Sequence, residues 1–252
     1  MTFNYGYQNE YDFIELFNNK YLYELDQNSQ NFLKDIFENE IDCDEKIISW
    51  KNRMVQKTDI FIKYKNIIKN ISLKCGNSNS IHHESIQDFK EYLKKINIPF
   101  KLIEIYTNYH YGYKKNENGI TDFSKILSSE EYKKIYQNDI NKFNCFINKT
   151  RIIIDMIDRF IIKGRNSDYD VDVLLCGTTK DYVWIKKYDL YDLILSKRQI
   201  EYNSPHSACL TIGPKKRCID SNKNIKDRYI VCIRWNFIKE NIIEFKNSLD
   251  KA

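Results

Sequence analysis

Asp59 and Lys74 are the residues of this chain whose types and spacing suit hydrolytic chemistry best. They lie in one stretch, KTDIFIKYKNIIKNISLKCGNSNSIHHE, running from Lys57 to Glu84. A carboxylate can hold a divalent cation, and an ammonium group beside it can orient a water and stabilise developing negative charge. Attack of water on a phosphodiester needs those functions together. The plain alternative is a cross-strand ion pair, worth only about 0–1 kcal/mol if exposed.

The element that must position them is a β-hairpin. Asp59 opens an alternating run in which Ile60, Ile62 and Tyr64 share one face. Lys65 and Asn66 form the turn, and the return run from Ile67 to Lys74 alternates as well. With a two-residue loop Tyr64 faces Ile67, so Asp59 lies opposite Ser72 and Lys74 projects from that same face two residues on. Ile60, Ile62, Ile71 and Leu73 line the reverse side, where a helix can cover them.

The pattern D-x12-S-x-K on a hairpin resembles the restriction-endonuclease superfamily, whose usual motif is P-D…(D/E)-x-K. Thr58 stands where proline is usual and Ser72 where the second acid is usual. One branch of restriction enzymes reads S-x-K there and takes its second acid from the following helix. Glu84, ten residues past Lys74, matches that position. The resemblance implies Mg²⁺ held by Asp59, Glu84 and the Leu73 backbone carbonyl, with Lys74 beside the attacking water. It also implies double-stranded DNA as substrate, a type II site-specific enzyme, and a homodimer, since two active sites must meet two strands. The superfamily often carries an acid on its opening helix, here Glu10. The plainer account of Glu10 is a solvated glutamate that suits the helix dipole.

The totals are compatible with this. The chain has 252 residues with 7 Gly and 3 Pro, which leaves no flexible linker and favours one compact domain. Hydrophobic content of 42% with 14% aromatics excludes a disordered chain. No apolar run approaches the roughly 18 residues of a membrane span, and no secretory leader is visible. The 7 cysteines are scattered without a C-x-x-C pair, which reads as reduced thiols in a cytoplasmic protein. A formal net charge of +5 permits a polyanionic partner without demanding one.

The expected fold class is α/β (mixed α+β), a restriction-endonuclease-like central mixed sheet flanked by helices, with an added β-rich C-terminal region. Residues 1–56 read as helical, including a short helix over 44–54, and 57–106 as the catalytic hairpin, a helix from 81 or 82 to 97 capped by Asn79 or Ser80, and a strand over 100–106. A loop over 107–118 and helix over 128–162 fill the next part, and strands dominate 166–252. In that last part Lys215, Lys216 and Arg217 form a basic loop suited to clamping a DNA backbone. Asn203, Ser204 and His206 are placed to read base edges.

Two other classes of function compete. One is a DNA-binding module of the same fold that cuts nothing. The other is a nucleotidyltransferase, because Asp168, Asp170 and Asp172 share one strand face and resemble that family's metal site. The Gly-Ser phosphate loop expected upstream is replaced by Asp158-Arg159-Phe160-Ile161.

Overall fold

The computed structural model describes residues 5–54, 56–75, 79–165, 169–199, 202–216 and 225–249. Elements run in the order α1 (Tyr5–Phe17), α2 (Gln27–Ile36), β1 (Ile48–Lys51), β2 (Ile60–Tyr64) and β3 (Ile67–Lys74). Then come β4 (Ser80–Ser85), α3 (Ile86–Lys95), α4 (Phe100–Tyr111), β5 (Tyr113–Lys115) and β6 (Thr121–Ile126). Two helices, α5 (Ser129–Ile147) and α6 (Thr150–Ile157), precede β7 (Val173–Thr178), β8 (Asp181–Lys186) and α7 (Lys187–Ser196). The chain closes with β9 (His206–Ser207), β10 (Leu210–Pro214), β11 (Ile230–Trp235) and α8 (Ile238–Leu249). The fold is thus mixed α and β. Among the described residues no helix is long and apolar enough to cross a membrane.

Internal contacts divide the chain into two compact units, one of residues 1–79, 157–193 and 237–252, the other of 80–156 and 194–236. The first unit is built on a five-stranded sheet in the order β1-β2-β3-β7-β8. Its pairings are antiparallel except β3 with β7, which is parallel. Alternation along β2 buries Ile60, Ile62 and Tyr64, and these join Ile71, Leu73, Val173 and Leu175 in one core. The helices cover that face with Phe13 and Phe17 of α1 and Phe32 and Leu33 of α2. Helix α2 starts where Asp26 accepts the Ser29 amide at 2.9 Å, satisfying a donor the helix itself cannot.

The second unit holds an antiparallel sheet in the order β4-β11-β10-β9. Its helices supply Phe89, Leu93, Tyr106 and Phe143, all fully buried. Tyr106 lies between Phe89 and Phe143, with ring centroids 4.9 and 5.4 Å away.

Four expectations are corrected. Residues 44–54 contain strand β1 rather than a helix, because Ile48–Lys51 pairs with β2. Residues 80–85 are strand β4, paired with β11 about 150 positions later, and the following helix is capped by Ser85 rather than by Asn79 or Ser80. The apolar run at 100–106 is helical and continues through the expected loop to Tyr111, stopping at Gly112 with φ of 75°. The long helix over 128–162 is interrupted, α5 ending at Ile147 and α6 at Ile157, before a single wider turn over Asp158–Ile162.

Candidate active site

The register of the hairpin is the one alternation predicts: Ile60 pairs with Ile71 and Tyr64 with Ile67. Asp59 extends the ladder by one position, its amide donating to the Ile71 carbonyl and its own carbonyl accepting from Asn52, both at 2.9 Å. Its carboxylate thereby comes opposite Ser72. Oδ2 accepts from the Leu73 amide at 2.6 Å and from Ser72 Oγ at 3.2 Å. Lys74 Nζ donates to that same Ser72 Oγ at 3.2 Å and stands 4.0 Å from Asp59 Oδ2. Acid, hydroxyl and amine form one chain at one end of the hairpin. Both charged groups are shielded, with 25% of the Asp59 side chain exposed and 16% of Lys74, so their fields are only partly screened.

Oxygen donors of this kind suit a hard cation such as Mg²⁺, which keeps several waters and takes one or two carboxylates. Asp59 Oδ1 takes no hydrogen bond from the described residues and is free to ligate. The Leu73 carbonyl leaves the strand on the same edge as its amide, and that amide already points at Asp59. Asp59 and Leu73 therefore fit as a two-oxygen protein site completed by water. Among the described residues no group of three or more His, Cys, Asp or Glu is gathered as a metal site.

Glu84 does not sit on a helix. It is on strand β4 of the second unit, opposite Val231, 5% exposed, with His82 Nε2 at 3.5 Å from its carboxylate. The hairpin's own unit offers Glu10 on α1 instead, paired with Lys51 Nζ at 2.8 Å. Cys75 follows Lys74 at the end of β3. Burial pushes its thiol up, Lys74 opposes this, and the carboxylates of Glu10 and Asp59 add to it. Asn9 hydrogen-bonds to Cys75 as well and donates to the Gly177 carbonyl at 3.1 Å, tying α1 to β7. Sequence reasoning missed Asn9 and Lys51. No local spacing links Asn9 to a partner 168 positions away, whereas Lys51 is the residue facing Ile60 once β1 is recognised as a strand.

The remaining candidates are dispersed. His206 is 1% exposed, with its two ring nitrogens on the Ser204 and Gln199 carbonyls at 3.0 and 2.7 Å. It packs the second unit and is corrected as a reader of bases; burial also holds its pKa below the usual histidine value. Ser204 is partly buried, with its carbonyl engaged by Asn144. Lys215 is paired with Asp227 at 2.9 Å, while Lys216 and Asn203 are exposed. Arg217 lies outside the described residues, as does Asp168. Asp172 accepts the Asn70 amide at 2.8 Å, and burial raises its pKa. Asp170 pairs with Lys187, and its carbonyl accepts from Asn70 Nδ2 at 2.8 Å. Those acids brace the start of β7 against β3.

No family model matches the chain, and no curated protein matches it.

Proposed function

We propose that this protein is a Mg²⁺-dependent endonuclease that cuts DNA, similar to the restriction-endonuclease superfamily in fold and site. The reading is carried by the Asp59–Ser72–Lys74 chain at the open end of the β2–β3 hairpin. It is further supported by a mixed sheet whose central β3 is flanked by an antiparallel and a parallel neighbour.

In this mechanism Asp59 Oδ1 and the Leu73 carbonyl would hold the cation, with Glu10 as the second acid of the site. When bound, Mg²⁺ would supply charge neutralisation for the phosphate and lower the pKa of its water. Lys74, held by Ser72, orients the attacking water and offsets negative charge as the phosphorus gains its fifth oxygen. Ser72 holds the amine, which stands 4.0 Å from Asp59 in a long ion pair, near enough to share a reaction centre. Lys216 and Asn203, exposed in the second unit, are candidates to contact DNA. The enzyme acts as a homodimer, because a double-strand break needs two such sites.

The test is digestion of mixed-sequence DNA with Mg²⁺, with the ends sequenced; fixed ends establish the class and the target together. Asp59→Ala and Lys74→Ala should each lower the cleavage rate by about 10²–10⁴-fold while DNA binding persists. A variant that cuts at the wild-type rate removes the hairpin from the mechanism.

A further inference from the structure

The sheet face that carries Asp59 and Lys74 continues into an aromatic surface that hydrolysis does not use. Residues two apart on a strand share a face and stand about 7 Å apart, so Phe61 is the next side chain beyond Asp59 on β2. Its cross-strand partner on β1 is Trp50. The two rings stack at 5.3 Å with 27° between their planes, and Tyr169 meets Phe61 edge-on at 6.2 Å. Trp50 remains 36% exposed and Tyr169 50%, which is a costly display of aromatic area for a packing cluster.

A cavity of about 420 Å³ opens here, lined by Trp50, Lys51, Asn52, Arg53, Met54 and Phe61. Asn52 connects it to the reaction centre, since its amide donates to the Asp59 carbonyl. The charge around it favours an anion. Glu10 neutralises Lys51, but Arg53 is exposed, and Lys63 stands two residues beyond Phe61 on the same strand face.

We propose that this aromatic shelf stacks an unpaired nucleobase, so that the substrate is DNA with a single-stranded or extruded base beside the bond that is cut. The inference rests on the nuclease reading for what happens next to the shelf. Within an intact duplex both faces of a base are covered by its neighbours. Only an unstacked base offers a π-face to Trp50 and Phe61 while its phosphates meet the basic rim. An aromatic pair beside Arg53 and Lys63, two residues along the strand from Asp59, is arranged for that purpose.

The test uses the uncleaving Asp59→Ala protein, titrated with a 12-nucleotide oligothymidylate and, separately, with a fully paired 12-base-pair duplex. Tryptophan fluorescence reads the stacking, with Trp50→Phe assigning the signal, and anisotropy of a dye-labelled oligonucleotide reads the affinity of every variant. The single strand should quench Trp50. Adding Trp50→Ala or Phe61→Ala should weaken its binding about tenfold, leave the duplex nearly unaffected, and keep thermal unfolding close to that of the parent. Unchanged single-strand affinity in both variants overturns the proposal. So does a loss of self-association in Trp50→Ala without any effect on oligothymidylate, which assigns the face to a second copy of the chain. With wild-type Asp59 and Mg²⁺, a duplex carrying an unpaired base should be cut at least about tenfold faster than a paired one; equal rates also overturn it. If no DNA is cut but Trp50-dependent binding persists, the shelf stands and the nuclease reading falls.

Discussion

At the scale of single residues the hairpin separates two jobs that a plain ion pair would merge. Asp59 Oδ2 is occupied by Leu73 and Ser72, Oδ1 takes no hydrogen bond from the described residues, and Lys74 is held by Ser72 at 3.2 Å with the acid 4.0 Å away. Ser72→Ala should therefore lower kcat about tenfold, the worth of one hydrogen bond to a charged group, with KM for DNA unchanged. An unaltered kcat would show that Lys74 is held by something else. Glu10→Gln and Glu84→Gln separate the two candidates for second acid. The first should cut the Mg²⁺-dependent rate and cost less than about 1 kcal/mol of stability, since its partner Lys51 is partly solvated. The second should leave cleavage intact and destabilise the fold by about 1–3 kcal/mol, because it removes a buried acceptor charge beside His82. Reversed outcomes would return the metal to Glu84.

At the scale of elements, two positions fix how the sheet and its covering helices meet. Gly177 is the next-to-last residue of β7, with φ of 131°, and an added Cβ would lie 2.2 Å from the Asp181 carbonyl and 2.8 Å from Tyr182 Cα. Its own carbonyl accepts Asn9, so a shift there reaches α1. Gly177→Ala should cost at least about 1–3 kcal/mol, read as a lowered denaturation midpoint with an unchanged slope. Asp26 caps α2. Burial works against its charged form, but hydrogen bonds from Ser29 outweigh this and hold the carboxyl below its ordinary 3.8. Asp26→Ala should cost about 1 kcal/mol, or roughly 2–4 °C in Tm, at neutral pH. A depressed carboxylate stabilises above its ordinary pKa and loses that contribution as pH falls through the lowered value. The difference in Tm should accordingly close on acidification below 3.8. A gap that persists in acid would mean the cap acts through shape rather than charge.

Element type was legible where periodicity is strong and local. The hairpin came out in register because alternation and a two-residue turn together fix parity, with Lys65 in the left-handed region at φ of 51°. The misreadings have definite causes. FKLIEIY is apolar enough to pass for a strand, yet Pro99 before it and Gly112 after it are the start and stop marks of a helix. SIHHES has no apolar alternation, and it becomes a strand because β11 supplies the ladder.

At the scale of the whole molecule, the chain leaves its first unit after Asn79, builds the second, and returns at Ile157 to lay β7 beside β3. Divisions drawn along the sequence follow runs of one element type, whereas the units gather distant runs. Thiol chemistry offers a check on burial throughout. Burial pushes Cys176 up to about 11 and Cys209 up to about 12, while Cys43 and Cys145 are exposed. Alkylation at pH 8 should label Cys43 and Cys145 first and reach Cys176 only on unfolding; early labelling of Cys176 would contradict the packing of β7.

The sequence by itself determined that Asp59, Ser72 and Lys74 meet on one face, since alternation along a strand and the length of a turn are properties of neighbouring residues. Only the tertiary structure decided that Glu84 belongs to another sheet, that Glu10 pairs with Lys51 of β1, and that Trp50 stacks on Phe61. Those placements depend on which strands and helices meet, and contact between distant segments leaves no trace in the periodicity of either one.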